Sequence, residues 1–157
     1  SYPKAGKDSD VLHINVGGSC RIAVLRRTIT HFKNSMLAVR FSGRWDDSIE
    51  KDKNGNFFID QDPKVFLPLV NFLRQCDQRK RHDIKVPPPL ASTEFCSMLE
   101  YYDLMSSVYP QEWRRILGTE DSVVMERGSG NNNHDVLTIA TGKSLKAFML
   151  EVKRHCA

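Results

Sequence analysis

The stretch from residue 35 to residue 74 constrains the fold most, because it carries the signals that begin and end two helices with a short strand between them. Ser35 directly precedes the apolar residues of the first helix, and Thr28 and Thr30 are possible caps for the helix that leads into this stretch. Gly43 is placed to end this helix, because glycine readily adopts the left-handed conformation found at helix C-termini. The apolar residues of the helix are Met36, Leu37, Val39 and Phe41.

A turn, a strand and a longer helix follow in the same stretch. Asn54-Gly55 is a turn dipeptide, and the apolar run 57–59 predicts a short buried strand. Asp62 can cap the next helix, with Pro63 at the first helical position, where its missing N–H costs nothing. Pro68 lies inside this helix and predicts a kink. The predicted buried stripe consists of Val65, Phe66, Leu69, Val70 and Leu73.

A β-hairpin is predicted ahead of this stretch. Residues 11–16 alternate with the period of a strand, which puts Leu12, Ile14 and Val16 on one face and His13 and Asn15 on the other. Gly17-Gly18 supplies the turn, because glycine takes positive φ freely. A second strand then contains Ile22 and Val24.

The chain is mildly basic, with a net charge of +4 over 157 residues. Part of this excess lies in one run, 79–81, a size that is typical of a solvated loop, so we expect no nucleic-acid partner. No apolar run approaches the roughly 20 residues of a membrane span, and the first residues do not resemble a signal peptide. We therefore expect a cytoplasmic chain that does not associate with membranes.

The cysteines and histidines predict no metal site. The four cysteines are widely scattered, form no Cys-x-x-Cys pair and match no metal-ligand spacing with the five histidines. Reduced thiols of this kind are usual in the cytosol. We expect neither a metal nor another cofactor.

Four motifs, in this order and near the expected spacing, carry a resemblance to a known family. They are residues 11–18, 35–45, 57–63 and 70–74. Together they resemble a BTB/POZ domain of the potassium-channel-tetramerisation type, the kind found in the KCTD family and at the N-termini of voltage-gated potassium channels. The resemblance covers about residues 11–105. It implies an α+β fold in which helices surround a small sheet.

The remaining chain is divided around this domain. The expected division is a polar lead-in at 1–10, the tetramerisation-type domain at 11–105 and an accessory segment at 106–157. Within the accessory segment, apolar runs at 123–125 and 136–140 predict two strands, and a last helix follows them. This β-β-α appendage is too small to bury a core alone.

No motif indicates an enzyme. Thr141–Ser144 resembles the end of a phosphate-binding loop, but Leu137 stands where that loop requires glycine. The nucleophile and zinc-protease motifs Gly-x-Ser-x-Gly and His-Glu-x-x-His are missing. We therefore expect a non-enzymatic interaction module rather than an enzyme or nucleotide binder built on residues 119–157.

The resemblance implies a homo-oligomer, a tetramer or pentamer, assembled through residues 11–105. In the resembled family, subunit contacts come from the elements that match residues 57–62 and 71–74. We expect Arg74 of one subunit to pair with Asp60 or Asp62 of another. Gln61, between these two acids, stands where family members often have arginine. The expected interface residues are Asp60, Asp62, Asn71 and Arg74.

The KCTD-like resemblance rests on Phe41–Arg44 followed by the aromatic Trp45. Many KCTD-like proteins are substrate adaptors for the cullin scaffold of ubiquitin ligases, which implies the same role here, with an unknown substrate protein recognised by residues 106–157. The expected cullin-binding residues are Phe41, Ser42, Arg44 and Trp45. Tryptophan and arginine are common interface hot spots. The alternative for both aromatic residues is a place in the core.

Two other functions share the same motifs: the cytoplasmic tetramerisation domain of a potassium channel, and an auxiliary scaffold subunit without cullin binding. Channel domains of this type generally lack the Phe-Ser-Gly element. Outside one subfamily they also carry a histidine and cysteine zinc cluster at the subunit boundary, which His82 and Cys96 do not supply. The adaptor is therefore the preferred interpretation.

Overall fold

The computed structural model of the chain describes residues 3–80 and 85–110. Residues 3–80, 85–89 and 101–103 form one compact unit, and residues 90–100 with 104–110 belong to another. The predicted β-β-α appendage lies outside the described residues. The elements in chain order are β1 (Val11–Val16), β2 (Cys20–Leu25), α1 (Arg26–Ile29), α2 (Met36–Arg40), β3 (Phe57–Ile59), α3 (Pro63–Arg79), α4 (Thr93–Tyr101) and α5 (Met105–Val108).

A mixed three-stranded sheet has the order β2-β1-β3. The predicted hairpin is confirmed: β1 and β2 pair antiparallel, with Val16 opposite Cys20 and Ile14 opposite Ile22. β3 pairs parallel to β1, as it can because α1 and α2 carry the chain back across the sheet. Leu12, Ile14 and Val16 are buried, as their alternation predicts. The α+β class is therefore confirmed.

Two helices begin with side-chain caps, and the cap at Asp62 was predicted. The N–H of Ala38 donates to the hydroxyl of Ser35 at 3.1 Å, and the N–H of Lys64 donates to the carboxylate of Asp62 at 2.9 Å. α3 continues through Pro68 to Arg79. Its buried face differs slightly from the prediction, because Val65 is only half-buried. The buried residues of α3 are Phe66, Leu69, Val70, Phe72 and Leu73.

Aromatic contacts tie the first unit together. The Phe41 ring meets the edge of Phe57 at a centroid distance of 5.8 Å, and Phe66 meets Tyr102 at 6.3 Å. In the second unit, Phe95 and Tyr109 are 6.4 Å apart. Within the part of the chain that the structure describes, no helix is long and apolar enough to cross a lipid bilayer.

Asn15 departs from the prediction, since it is buried although it lies on the face opposite the core set. Its Nδ2 donates to the Asp52 carboxylate at 2.9 Å. Asp52 also accepts from the backbone N–H groups of Asn54 and Asn56. The hydrogen bonds from Asn56 and Asn15 hold the pKa of Asp52 well below its usual range. Asn15 thereby fixes the turn before β3 to the sheet.

Candidate interaction surface

The turn from Phe41 to Trp45 follows the C-terminal end of α2, and its two aromatic residues have different surroundings. The Phe41 side chain is fully buried, so of its two alternatives the structure supports the core rather than a direct contact. Trp45 is 51% exposed. Ser42 is half-buried and Arg44 is exposed. Trp45 and Arg44 are therefore the members of the predicted cullin-binding set that can contact a partner directly.

Gly43 makes this turn possible, because its φ of 94° lies in the region that favours glycine. The backbone also passes very close to an earlier segment of the chain. A Cβ on Gly43 would lie 2.1 Å from the nitrogen of Gly6, and that N–H donates to the carbonyl of Ser42 at 2.8 Å. On the side that faces Gly6, the turn is therefore held by backbone contacts.

The buried side chain of Arg26 also holds the turn in place. It is only 4% exposed, and its Nη1 donates to the carbonyl of Phe41 at 2.7 Å. Its Nη2 donates to the Asp46 carboxylate at 2.9 Å and its Nε to that of Asp10 at 3.2 Å. Burial lowers the pKa of Arg26, but the hydrogen bonds and charges of Asp46 and Asp10 outweigh this and raise it. Arg26 is thus a satisfied buried cation with a structural role.

An open apolar groove of about 540 Å³ runs beside Trp45. Its walls come from α2, the turn and the residues at 101–102. Four of its side chains are strongly exposed: Met36 at 57%, Val39 at 47%, Trp45 at 51% and Tyr101 at 63%. Contiguous exposed apolar side chains mark protein-interaction sites. We name this surface the Trp45 groove; it is lined by Met36, Val39, Arg40, Trp45, Ser48, Ile49, Glu50, Tyr101 and Tyr102.

An ion pair forms part of the groove wall. Nη2 of Arg40 donates to the Glu50 carboxylate at 2.6 Å, and Glu50 remains largely exposed at 72% of its side chain. An exposed pair of this kind contributes little to stability. Both groups can therefore form hydrogen bonds with a partner.

Met36 and Val39 were expected among the apolar residues of the first helix without a choice of face. In the structure, Leu37 and Phe41 are buried, whereas Met36 and Val39 face the groove.

Sequence reasoning also missed Arg26. The available signal was an arginine placed directly after the apolar strand β2, where a charged side chain has to find partners.

Two of the predicted oligomer residues lie at or just before the start of α3, and two lie farther along the helix. Asp62 caps its first turn, and Asp60 lies just before it and is exposed. Arg74 lies about 18 Å farther along the helix axis. There its Nη2 donates to the carbonyl of Ala23 at 2.7 Å, and its Nη1 lies 3.5 Å from the Asn71 side chain. The structure thus brings Arg74 and Asn71 together but separates Arg74 from the acids.

Within residues 3–80 and 85–110, no group of three or more histidine, cysteine, aspartate or glutamate side chains could hold a metal ion. Among the described residues, the arrangement offers binding surfaces: an open apolar groove with an exposed tryptophan, acidic residues at the start of α3, and Arg74 farther along that helix.

A sequence model of the BTB/POZ domain matches residues 12–111. The chain is 43% identical over 82 residues to SH3KBP1-binding protein 1 of Mus musculus, which is 51% of this chain and 11% of that protein. It is 46% identical over 66 residues to BTB/POZ domain-containing protein KCTD21 of Homo sapiens, covering 42% and 24% of the two chains. It is 39% identical over 75 residues to BTB/POZ domain-containing protein KCTD3 of Homo sapiens, covering 47% and 9%. The chain therefore spans a quarter or less of each of these relatives.

Proposed function

Because the chain belongs to the BTB/POZ domain family and is KCTD-like, we propose that it is a non-enzymatic, homo-oligomerising adaptor that binds a cullin scaffold of a ubiquitin ligase. A BTB/POZ domain is a protein-interaction and self-association module. The finer steps of the proposal are the cullin, the surface that binds it and the residues that join the subunits.

The Trp45 groove is the observation that carries the cullin assignment. Large apolar side chains of a monomeric surface are normally scattered, whereas Met36, Val39, Trp45 and Tyr101 are exposed together in one groove. A tryptophan buries a large area and has few rotatable bonds, so it contributes strongly when a partner covers it. The Arg40–Glu50 pair at the wall supplies both signs of charge. This combination suits a partner helix with an apolar face and polar flanks.

Phe41 has a supporting role in this proposal. Its buried ring packs edge-on against Phe57 of β3, and its carbonyl accepts from Arg26. The proposed direct contacts are therefore Trp45, Arg44 and the exposed side chains of α2. Ser42 contributes through its backbone, since its carbonyl is already held by Gly6.

Self-association is proposed to use two separate parts of α3. In a cyclic, head-to-tail interface each subunit donates one surface and accepts with another. Asp60 and Asp62 are acidic and lie at the start of the helix, whereas Arg74, beside Asn71, is basic and lies farther along it, so the two parts have the opposite signs that such an interface needs. A tetramer or pentamer is the proposed state, assembled through residues 11–105.

The rest of the proposal concerns the whole protein. Residues 106–157 are proposed to recognise the substrate, and the location is proposed to be cytoplasmic; the free thiols of Cys20, Cys76 and Cys96 among the described residues support this location. SH3KBP1-binding protein 1 is named for a binding partner, but the segment it shares with this chain is only 11% of its length. We therefore do not propose the same partner for this chain.

A matched pair of valines tests the cullin assignment. Val39 in the groove and Val11 at the start of β1 are both apolar and exposed, at 47% and 55%. By calorimetry with the N-terminal domain of a cullin, we expect Val39→Lys to weaken binding about tenfold or more, because a lysine would be desolvated in the contact. Val11→Lys should leave the affinity unchanged.

Absence of binding by the unmodified chain at tens of micromolar would overturn the adaptor proposal. The function would then be an oligomeric scaffold, either an auxiliary subunit or a channel tetramerisation domain. Equal weakening by both lysine variants would move the cullin contact away from the Trp45 groove.

A further inference from the structure

Residues 5–10, which precede β1, contact the turn at residues 41–46 that is proposed to bind the partner. We name residues 5–10 the N-terminal strap and residues 41–46 the partner-binding turn. Its Gly6 N–H donates to the carbonyl of Ser42 at 2.8 Å. Farther along, the carbonyls of Asp8 and Asp10 accept from the N–H groups of Arg27 and Arg26 at 3.1 and 2.9 Å. The strap is therefore fixed at both ends, once to the turn and once to the start of α1.

The contact between strap and turn depends on two glycines. A Cβ on Gly43 would lie 2.1 Å from the nitrogen of Gly6 and 2.4 Å from its Cα. A Cβ on Gly6 would lie 2.3 Å from Nε of Arg26. A Cβ on Gly43 would therefore meet backbone, and one on Gly6 would meet the buried Arg26 guanidinium; close packing leaves room for neither. A side chain at either position should therefore disturb the contacts that join the strap, Arg26 and the turn.

Arg26 joins the strap to both sides of Trp45. Its Nε donates to Asp10 in the strap, Nη1 to the carbonyl of Phe41 before Trp45, and Nη2 to the carboxylate of Asp46 directly after it. A guanidinium presents its donors in one rigid plane, so these three partners are held in fixed relative positions. The three contacts therefore hold the backbone on which Trp45 is mounted.

The strap also reaches the partner side of the turn. Ala5, Gly6 and Trp45 line a second groove of about 430 Å³ together with Lys33 and Arg44. Trp45 nevertheless stays 51% exposed, so the strap does not cover it.

We infer that the N-terminal strap and Arg26 are positioning elements for the partner-binding turn: they hold residues 41–46 in the binding conformation before the partner arrives. The inference rests on the proposed function for the identity of the partner. Its physical basis is that a turn ordered in the free protein loses less conformational entropy when it binds. Displacing the strap should therefore weaken partner binding and leave self-association through α3 unchanged.

Two glycines with similar backbone provide the test. Gly43 and Gly55 have φ of 94° and 82°, so alanine is strained at both. Only Gly43 has a neighbour, since nothing lies within 4 Å of a Cβ on Gly55. Gly55→Ala therefore reproduces the backbone strain and leaves the strap in place. Gly6→Ala, where no positive φ is involved, should displace the strap because the new methyl group would meet the Arg26 guanidinium.

Hydrogen exchange followed by mass spectrometry is measured on the free protein, without a partner. We expect faster exchange of the amides at 42–46 in Gly43→Ala and Gly6→Ala, and no change there in Gly55→Ala. Calorimetry with the cullin domain should then show about tenfold weaker binding for the first two variants, with the oligomer mass unchanged. Should Gly43→Ala fail to fold, Gly6→Ala carries the same test.

Unchanged exchange at 42–46 in both strap variants would overturn the inference, whatever happens to cullin binding. Faster exchange with unchanged cullin affinity would also overturn it, because the order of the turn would then not matter for binding. Failure of the unmodified chain to bind a cullin would overturn the proposed function, while the exchange result would still decide whether the strap orders the turn.

Discussion

Phe41 and Trp45 belong to the same short turn, yet the Phe41 side chain is 0% exposed and that of Trp45 is 51% exposed. The reversal between them is made at Gly43, whose positive φ turns the chain outward. One aromatic residue therefore anchors the turn in the core, and the other remains exposed at the surface.

This difference predicts opposite effects of two alanine substitutions. Trp45→Ala should weaken cullin binding by on the order of 2 kcal/mol, because an exposed hot-spot tryptophan gains its contacts only in the complex. Phe41→Ala should lower the free energy of unfolding by about 3–5 kcal/mol, because it leaves a cavity beside Phe57. Calorimetry measures the first effect and urea denaturation the second.

A loss of folding stability in Trp45→Ala would contradict the role of Trp45 as a partner contact. Trp45→Ala should change the free energy of unfolding by less than about 0.5 kcal/mol. A large loss of folding stability in this variant would place Trp45 in the protein's own core or in the oligomer, and its role as a partner contact would have to be abandoned.

Local signals account for the parts of the fold that were predicted. α3 begins where Asp62 and Pro63 predict, because a cap and an N1 proline act within one turn of helix. β1 and β2 likewise follow from an alternation that needs only neighbouring residues. The α+β class follows from these elements and from the resemblance.

Long-range partners explain what was missed. Asn15 is buried because Asp52 reaches it from a distant turn, and Arg26 is buried because its partners come from residues 10, 41 and 46. The exposure of Val39 could not be predicted from the sequence for another reason. α2 has five residues, barely more than one turn, and is apolar nearly all round, so periodicity cannot select its buried face.

Tyr102 gives a prediction at alkaline pH. Burial raises its pKa to about 12, and the hydrogen bond with Gln61 and the charge of Arg40 only partly oppose this. The fold therefore favours the neutral phenol, and its contribution to stability is fully present below the unfolded value near pH 10. The contribution should be lost as the pH rises from about 10 to about 12.

A comparison with Tyr102→Phe isolates this residue from other groups that titrate at high pH. The free energy of unfolding, measured by urea denaturation, should fall more steeply above about pH 10 in the unmodified chain than in the phenylalanine variant. Parallel curves for the two proteins would show that the Tyr102 hydroxyl has the same pKa in the folded and unfolded chains, against the burial seen in the structure.

The separated charges of Arg74 and Asp60 give the prediction for self-association. Asp60 precedes α3, and Arg74 lies about 18 Å beyond the Asp62 cap along the helix axis, so we expect a pair between Arg74 and Asp60 to join two subunits. Asp60 is the better acidic residue to change, because Asp62 caps α3 and its loss would cost about 0.5–2 kcal/mol of stability by itself. Asp60 makes no hydrogen bond or ion pair within the described part of the chain.

We expect Asp60→Arg and Arg74→Glu each to lower the mass measured by light scattering at tens of micromolar, because like charges then face each other across a head-to-tail interface. Arg74→Glu also removes the bond to the Ala23 carbonyl, which should cost only about 1 kcal/mol of folding stability. Combining the two changes restores opposite charges and should restore the mass. Lys53→Glu, an exposed charge reversal in the turn before β3, should leave the mass unchanged. Single variants that keep the full mass would exclude this pair from the interface, and a monomeric unmodified chain would exclude self-association through residues 11–105.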